Sequence, residues 1–120
     1  MNASRASLLG LVVLIMAVSV ASQWWGNRHQ DRLGAEVAAL AAPGDIFMVS
    51  SDSCAPCTLA RTWLKRNEVA YAECSIERDS GCAERWRNAG APGTPLLYVR
   101  GQPQLGFSAE RLRAALQRDG

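Results

Sequence analysis

Four cysteines stand in the chain as two pairs, 54/57 and 74/82, the first of them inside "SDSCAPCTLARTWLKRN", residues 51–67. Two thiols separated by two residues can exchange disulfides, form an inert disulfide or supply half of a metal site. A thiolate metal site asks for a second pair of like spacing, whereas the full pattern here is C-x2-C-x16-C-x7-C and the only histidine is His29. The exchange reading has an argument of its own. An apolar run, "DIFMVSS" (Asp45 to Ser51), reads as a strand, and from Cys57 onward the apolar spacing becomes helical, so Cys54 falls where a helix begins. A thiolate at that point faces unpaired N–H groups and the positive end of the helix dipole, which favours the ionised, attacking form. Cys57 lies one turn further on, within reach of a mixed disulfide formed at Cys54. Pro56 suits the first turn, where its missing N–H would be unpaired anyway. Cys54 is therefore expected to attack, Cys57 to resolve, and Pro56 to stiffen the loop between them.

The elements that position this pair can be read from the remaining pattern. "RLGAEVAALAAPG" predicts a short amphipathic helix through Leu33, Val37 and Leu40, stopped by Pro43-Gly44. The helix after Cys54 carries Leu59, Trp63 and Leu64 as its apolar face, with Arg61, Lys65 and Arg66 as a solvated one. "VAYAEC" (Val69 to Cys74) predicts a second strand and "GCAERWRNAGA" a short helix with Trp86 on its apolar side. "PLLYVRGQPQLGF" predicts a strand, a turn at Gly101-Gln102-Pro103 and a return strand around Gln104 to Phe107, and Ser108 caps a last helix. The order is βαβαββα, an α/β arrangement in which βα units imply parallel pairing and the hairpin adds an antiparallel strand at one edge.

Length allows one modest core and no more: 120 residues. A formal charge of +2 with mixed signs along the chain offers no basic stripe, which argues against a nucleic-acid partner. From Ala6 to Asn27 no side chain is charged, and "LLGLVVLIMAVSVA" is almost wholly apolar. Such a segment is either a membrane anchor, with Trp24-Trp25 as an interfacial belt, or a signal peptide ending at Ser19-Val20-Ala21. The expected organisation is residues 1–27 as anchor or signal, 28–44 as a linker with a short helix, and 45–118 as the domain. Flanking charges give a near tie on orientation, and a second cysteine pair without metal spacing fits an oxidising compartment. The domain is therefore expected on the periplasmic side of the inner membrane, or secreted into the periplasm.

"CAPC" after a first strand, "GTP" (Gly93-Thr94-Pro95) before the third and "LGF" (Leu105 to Phe107) before the last helix resemble the thioredoxin-like superfamily, and within it the glutaredoxin-type domain. The likeness covers residues 45–118 and implies a thioredoxin-like, three-layer fold behind an N-terminal hydrophobic helix. It implies a thiol-disulfide oxidoreductase whose partners are protein thiols and disulfides and an envelope or membrane redox protein. It also implies a cis bond before Pro95, with Pro95 and Thr94 positioning the bound chain. Glutathione-using members usually show Cys-Pro-Tyr-Cys, a preceding lysine and Thr-Val-Pro; here those places hold Cys-Ala-Pro-Cys, Asp52-Ser53 and Gly-Thr-Pro. No cofactor is called for, since the dithiol itself carries two electrons, and glutathione stays open with these departures against it. Cys74 and Cys82 lie outside the common pattern, as a structural disulfide bracing a small exported domain or as a second redox pair. Two rival functions remain: a non-catalytic binding or assembly module with a permanent Cys54–Cys57 bond, and a thiolate metal carrier.

Overall fold

The apolar run after Pro43-Gly44 becomes β1 (Ile46–Ser50), flanked on both sides in a four-stranded sheet of order β2 (Ala72–Ser75), β1, β3 (Leu96–Val99), β4 (Gln102–Leu105). The structure is a computed structural model that describes residues 2–118. The elements follow as α1 (Asn2–Leu40), β1, α2 (Ala55–Arg66), β2 (Ala72–Ser75), α3 (Ser80–Asn88), β3 (Leu96–Val99), β4 (Gln102–Leu105) and α4 (Ala109–Arg118). They form two compact units, one up to Arg32 and one from Leu33 onward.

In the first unit, α1 is long and apolar enough to cross a membrane, and none of its apolar stretch is buried in the protein. The Arg28 guanidinium lies 3.8 Å from the centre of the Trp24 ring, a cation–π contact. Residues 26–32, which read as a polar linker, are helical.

In the second unit the helical residues Leu33 and Val37 are buried, as their spacing predicts. Gly34 is needed beside them: a Cβ there would come within 1.9 Å of the Asn67 side-chain oxygen, at the end of α2. Side chains alternate along β1 and β3 with period two. Ile46, Met48, Leu97 and Val99 join Ala60 and Leu64 of α2 and Leu112 and Leu116 of α4 in the main core. Val49 and Leu96 face the other way, onto Cys82 and Trp86 of α3. Helices on both sides of one sheet give the three layers.

Three expectations need correction. The buried stripe of α2 is Cys57, Ala60 and Leu64, while Leu59 is 72% exposed. At about 100° per residue, position 59 faces away from 57, 60 and 64, and the small residues that line the core were hidden by their weak hydropathy. Second, β2 is parallel to β1, but β3 as well as β4 is antiparallel to its neighbour. The loop after α3 folds back on that helix, with Ala91 N–H on Trp86 C=O at 2.9 Å and Trp86 Nε1–H on Gly93 C=O at 3.0 Å. The chain thus re-enters the sheet at the edge where β1 and β2 ended. Third, the hairpin turns at Arg100-Gly101, both at positive φ (49° and 84°), and Pro103 lies within β4. An edge strand tolerates the missing N–H. Arg100 holds its place by bonding Asp45 C=O through its N–H at 2.7 Å and Leu116 C=O through Nη1 at 2.8 Å.

Candidate active site

Cys54 is the residue at which the strand-to-loop path becomes a helix. It is the N-cap of α2, with extended backbone (φ −121°, ψ 102°), and its Sγ accepts the Cys57 N–H at 3.1 Å. Sulfur occupies the place that a serine or aspartate oxygen fills in ordinary caps, satisfying a donor that the first turn leaves unpaired. Pro56 sits in that first turn and is exposed. Cys54 is partly exposed and Cys57 fully buried, and the two form a disulfide with Cα atoms 5.2 Å apart. Cys54 is the more accessible residue of the pair.

The Thr94–Pro95 peptide is cis. Pro95 is fully buried and immediately precedes Leu96, whose register partner is Val49. Because β1 and β3 are antiparallel, Pro95 stands at the sheet edge from which Ser51–Ser53 lead to Cys54. Its carbonyl accepts the Gly106 N–H at 2.8 Å, which ties the "GTP" and "LGF" segments together. Thr94 is partly exposed at the same edge.

Cys74 and Cys82 are joined, with Cα atoms 5.9 Å apart. Cys74 on β2 and Cys82 in the first turn of α3 belong to the cluster on the α3 face, whereas Cys57 shares the stripe of α2 that packs on the opposite face. The sheet stands between the two bridges.

Around Ser50–Asp52, just ahead of Cys54 in the chain, lies a polar set that sequence reasoning missed. Arg61 forms a two-pronged ion pair with Glu73 (Nε–Oε1 2.6 Å, Nη2–Oε2 2.8 Å), and the buried Ser50 hydroxyl donates to the same carboxylate at 2.9 Å. The Arg61 hydrogen bonds hold the Glu73 carboxyl below its usual range, against the opposing pull of burial, with Ser50 adding to the lowering. Arg78 bonds Asp52 at 2.6 Å and, together with Ser75, lowers the Asp52 carboxyl. Glu77 accepts from the Ser51 hydroxyl and from the Asp52 N–H, and these bonds lower it as well. Partners about 12 to 26 positions apart in the chain leave no local signature, and "SIERDSG" read only as a spacer. Among the described residues no three His, Cys, Asp or Glu side chains are grouped to hold a metal ion.

A family model described as Glutaredoxin matches residues 46–103. A mutant of the thioredoxin-like protein BC3987 is 28% identical, with a TM-score of 0.55 over 62% of this chain and 96% of that one. The glutaredoxin of Archaeoglobus fulgidus, 18% identical, has a TM-score of 0.50 over 61% of this chain and 86% of that one. A mutated buckwheat glutaredoxin, 13% identical, has a TM-score of 0.51 over 78% and 96%. The last two likenesses concern the fold alone. No curated protein matches the chain. The fold is thioredoxin-like, and residues 46–103 are similar to the glutaredoxin family.

Proposed function

We propose that the protein is a thiol-disulfide oxidoreductase of the cell envelope that exchanges disulfides with protein substrates through Cys54 and Cys57. The observation that carries the reading is the Cys54 sulfur, which caps α2 from a partly exposed residue and receives the Cys57 N–H at 3.1 Å. A donor and a helix N-terminus aimed at one sulfur stabilise negative charge there, so the reduced site attacks as a thiolate.

In the reducing direction the Cys54 thiolate attacks one sulfur of a substrate disulfide. That S–S bond breaks, its other sulfur leaves as a thiolate, and Cys54 is held in a mixed disulfide. Cys57, deprotonated, then attacks the Cys54 sulfur; the second substrate thiolate leaves and Cys54–Cys57 closes. Two electrons pass to the substrate, which takes up two protons. The reverse sequence, begun by a substrate thiolate attacking Cys54, oxidises the substrate. Burial of Cys57 keeps outside thiols from competing for the resolving step. Pro56 limits the conformations of the Cys54–Cys57 loop, and Thr94 and Pro95 at the same sheet edge position the substrate chain.

The N-terminal helix is compatible with a membrane anchor or a signal sequence. We read residues 6–27 as the anchor, with the domain on the periplasmic side and a membrane or envelope redox protein as its electron partner. Trapping tests the function: with Cys57→Ser, the full chain in membranes accumulates mixed disulfides at Cys54 that dithiothreitol releases, and Cys54→Ser forms none. Absence of trapped species together with an unreactive Cys54–Cys57 bond would leave a binding module in place of an enzyme.

A further inference from the structure

Residues 51–53 belong to no helix or strand, yet they set where Cys54 stands. Ser51 and Asp52 are held by the end of β2 and the loop between β2 and α3. The Glu77 carboxylate accepts from two successive residues, the Ser51 hydroxyl and, at 3.0 Å, the Asp52 N–H. The Ser75 hydroxyl lies 2.9 Å from both the Glu77 and the Asp52 carboxylates, and its one proton serves either in turn. Arg78 reaches Asp52 from Nη2 at 2.6 Å and Nε at 2.9 Å. Every one of these loop residues lies between Cys74 and Cys82, whose disulfide ties the ends of the loop together.

We propose that Glu77 is a positioning residue for Cys54, and that the Cys74–Cys82 bridge keeps it in place. The inference rests on the reading of Cys54 as the attacking sulfur. Among the described residues Glu77 bonds only neutral donors, so it acts as a clamp on backbone and hydroxyl. Each free residue of the 51–53 segment would cost about 1–2 kcal/mol to order when Cys54 takes up its capping geometry. The clamp meets that cost in advance and so favours the Cys54 Sγ···H–N Cys57 bond. A carboxylate acting by charge alone would do the opposite, disfavouring a nearby thiolate. Of the other charged groups around the segment, Asp52 pairs with Arg78 and Glu73 with Arg61, while Lys65 lines the same polar pocket and would favour a thiolate with or without Glu77. The second disulfide, on the α3 side of the sheet, is thus linked to the segment before Cys54 through hydrogen bonds.

The test uses the full chain in mild detergent with Cys57→Ser, which leaves Cys54 as the one free thiol, the bridge intact and a backbone N–H at position 57. The rate of alkylation by iodoacetamide is followed against pH. Adding Glu77→Gln should raise the midpoint and slow alkylation near neutral pH by about three- to tenfold, the net worth of roughly one hydrogen bond. Glu84→Gln, which removes an exposed charge on α3, should change neither. Replacing both Cys74 and Cys82 by serine should slow alkylation in the same way, with Glu77→Gln adding little on top, because both act through one loop. An unchanged or faster rate with Glu77→Gln overturns the proposal, as does an unshifted midpoint in a bridge-less chain that thermal unfolding shows to be folded. If the bridge-less chain does not fold, Glu77→Gln decides alone. Alkylation needs no turnover, so failure of the oxidoreductase reading, seen as absent exchange with substrates, is distinguishable from failure here.

Discussion

Replacing Glu73 by glutamine probes the polar set at the end of β1. The side chains of Arg61 and Glu73 are 28% and 24% exposed, and two charge-assisted bonds join them, at 2.6 and 2.8 Å. Glutamine keeps the shape but offers one acceptor, and turns an amide donor toward either the guanidinium or the Ser50 hydroxyl. A hydrogen bond to a charged group is worth about 1.5–3 kcal/mol when shielded. Partial solvent screening brings the expected loss to about 1–2 kcal/mol. For a domain of this size each kcal/mol corresponds to about 4–8 °C in Tm. The pH dependence has a definite sign. The Glu73 carboxyl is held below its ordinary value of 4.5, so its contribution is complete above that value and fades as pH falls through the lower, folded one. Glutamine does not titrate. The gap between the two proteins should therefore be full at pH 7 and narrow as the solution is acidified below 4.5. Thermal unfolding of the full chain in detergent, followed by tryptophan fluorescence across that range, measures it. Equal stability at pH 7, or a gap that persists undiminished in acid, would refute the reasoning.

Gly34→Ala should destabilise the domain by about 1–3 kcal/mol despite alanine's better helix propensity, because the new methyl meets Asn67 at 1.9 Å; adding Asn67→Ala should recover part of the loss, read by the same unfolding assay. The protein should stay with the membrane fraction through alkaline carbonate extraction. A soluble chain shortened near Ala21 would show a cleaved signal peptide instead.

Much of the site was legible because its determinants are local. A strand followed by Cys-x-x-Cys and a helical period put Cys54 at the start of a helix, and it is the N-cap. Ser108 likewise receives the Arg111 N–H at 3.3 Å, as a helix cap should. The cis bond at Thr94–Pro95 follows from family likeness and from no spacing rule. Reading failed where contacts between distant segments decide. Hydropathy chose Leu59 over Ala60, although burial on α2 is set by which face meets β1 and β3. Two consecutive positive-φ residues place the turn at Arg100-Gly101, where the Arg100 side chain bonds Leu116 C=O. The clamp of Glu77 and Arg78 on Ser51 and Asp52 joins residues about 25 positions apart and exists only once β2 pairs with β1.

The central claim, that Cys54 and Cys57 form a working redox couple, is tested most directly by the reduction potential of that pair. The full chain in detergent is equilibrated against graded glutathione buffers and quenched by alkylation, with Cys54→Ser as control. The account predicts a reversible two-electron transition between about −270 and −120 mV, toward the first for a reductant and toward the second for an oxidant. A Cys54–Cys57 bond that exchanges with no buffer in the series would contradict it.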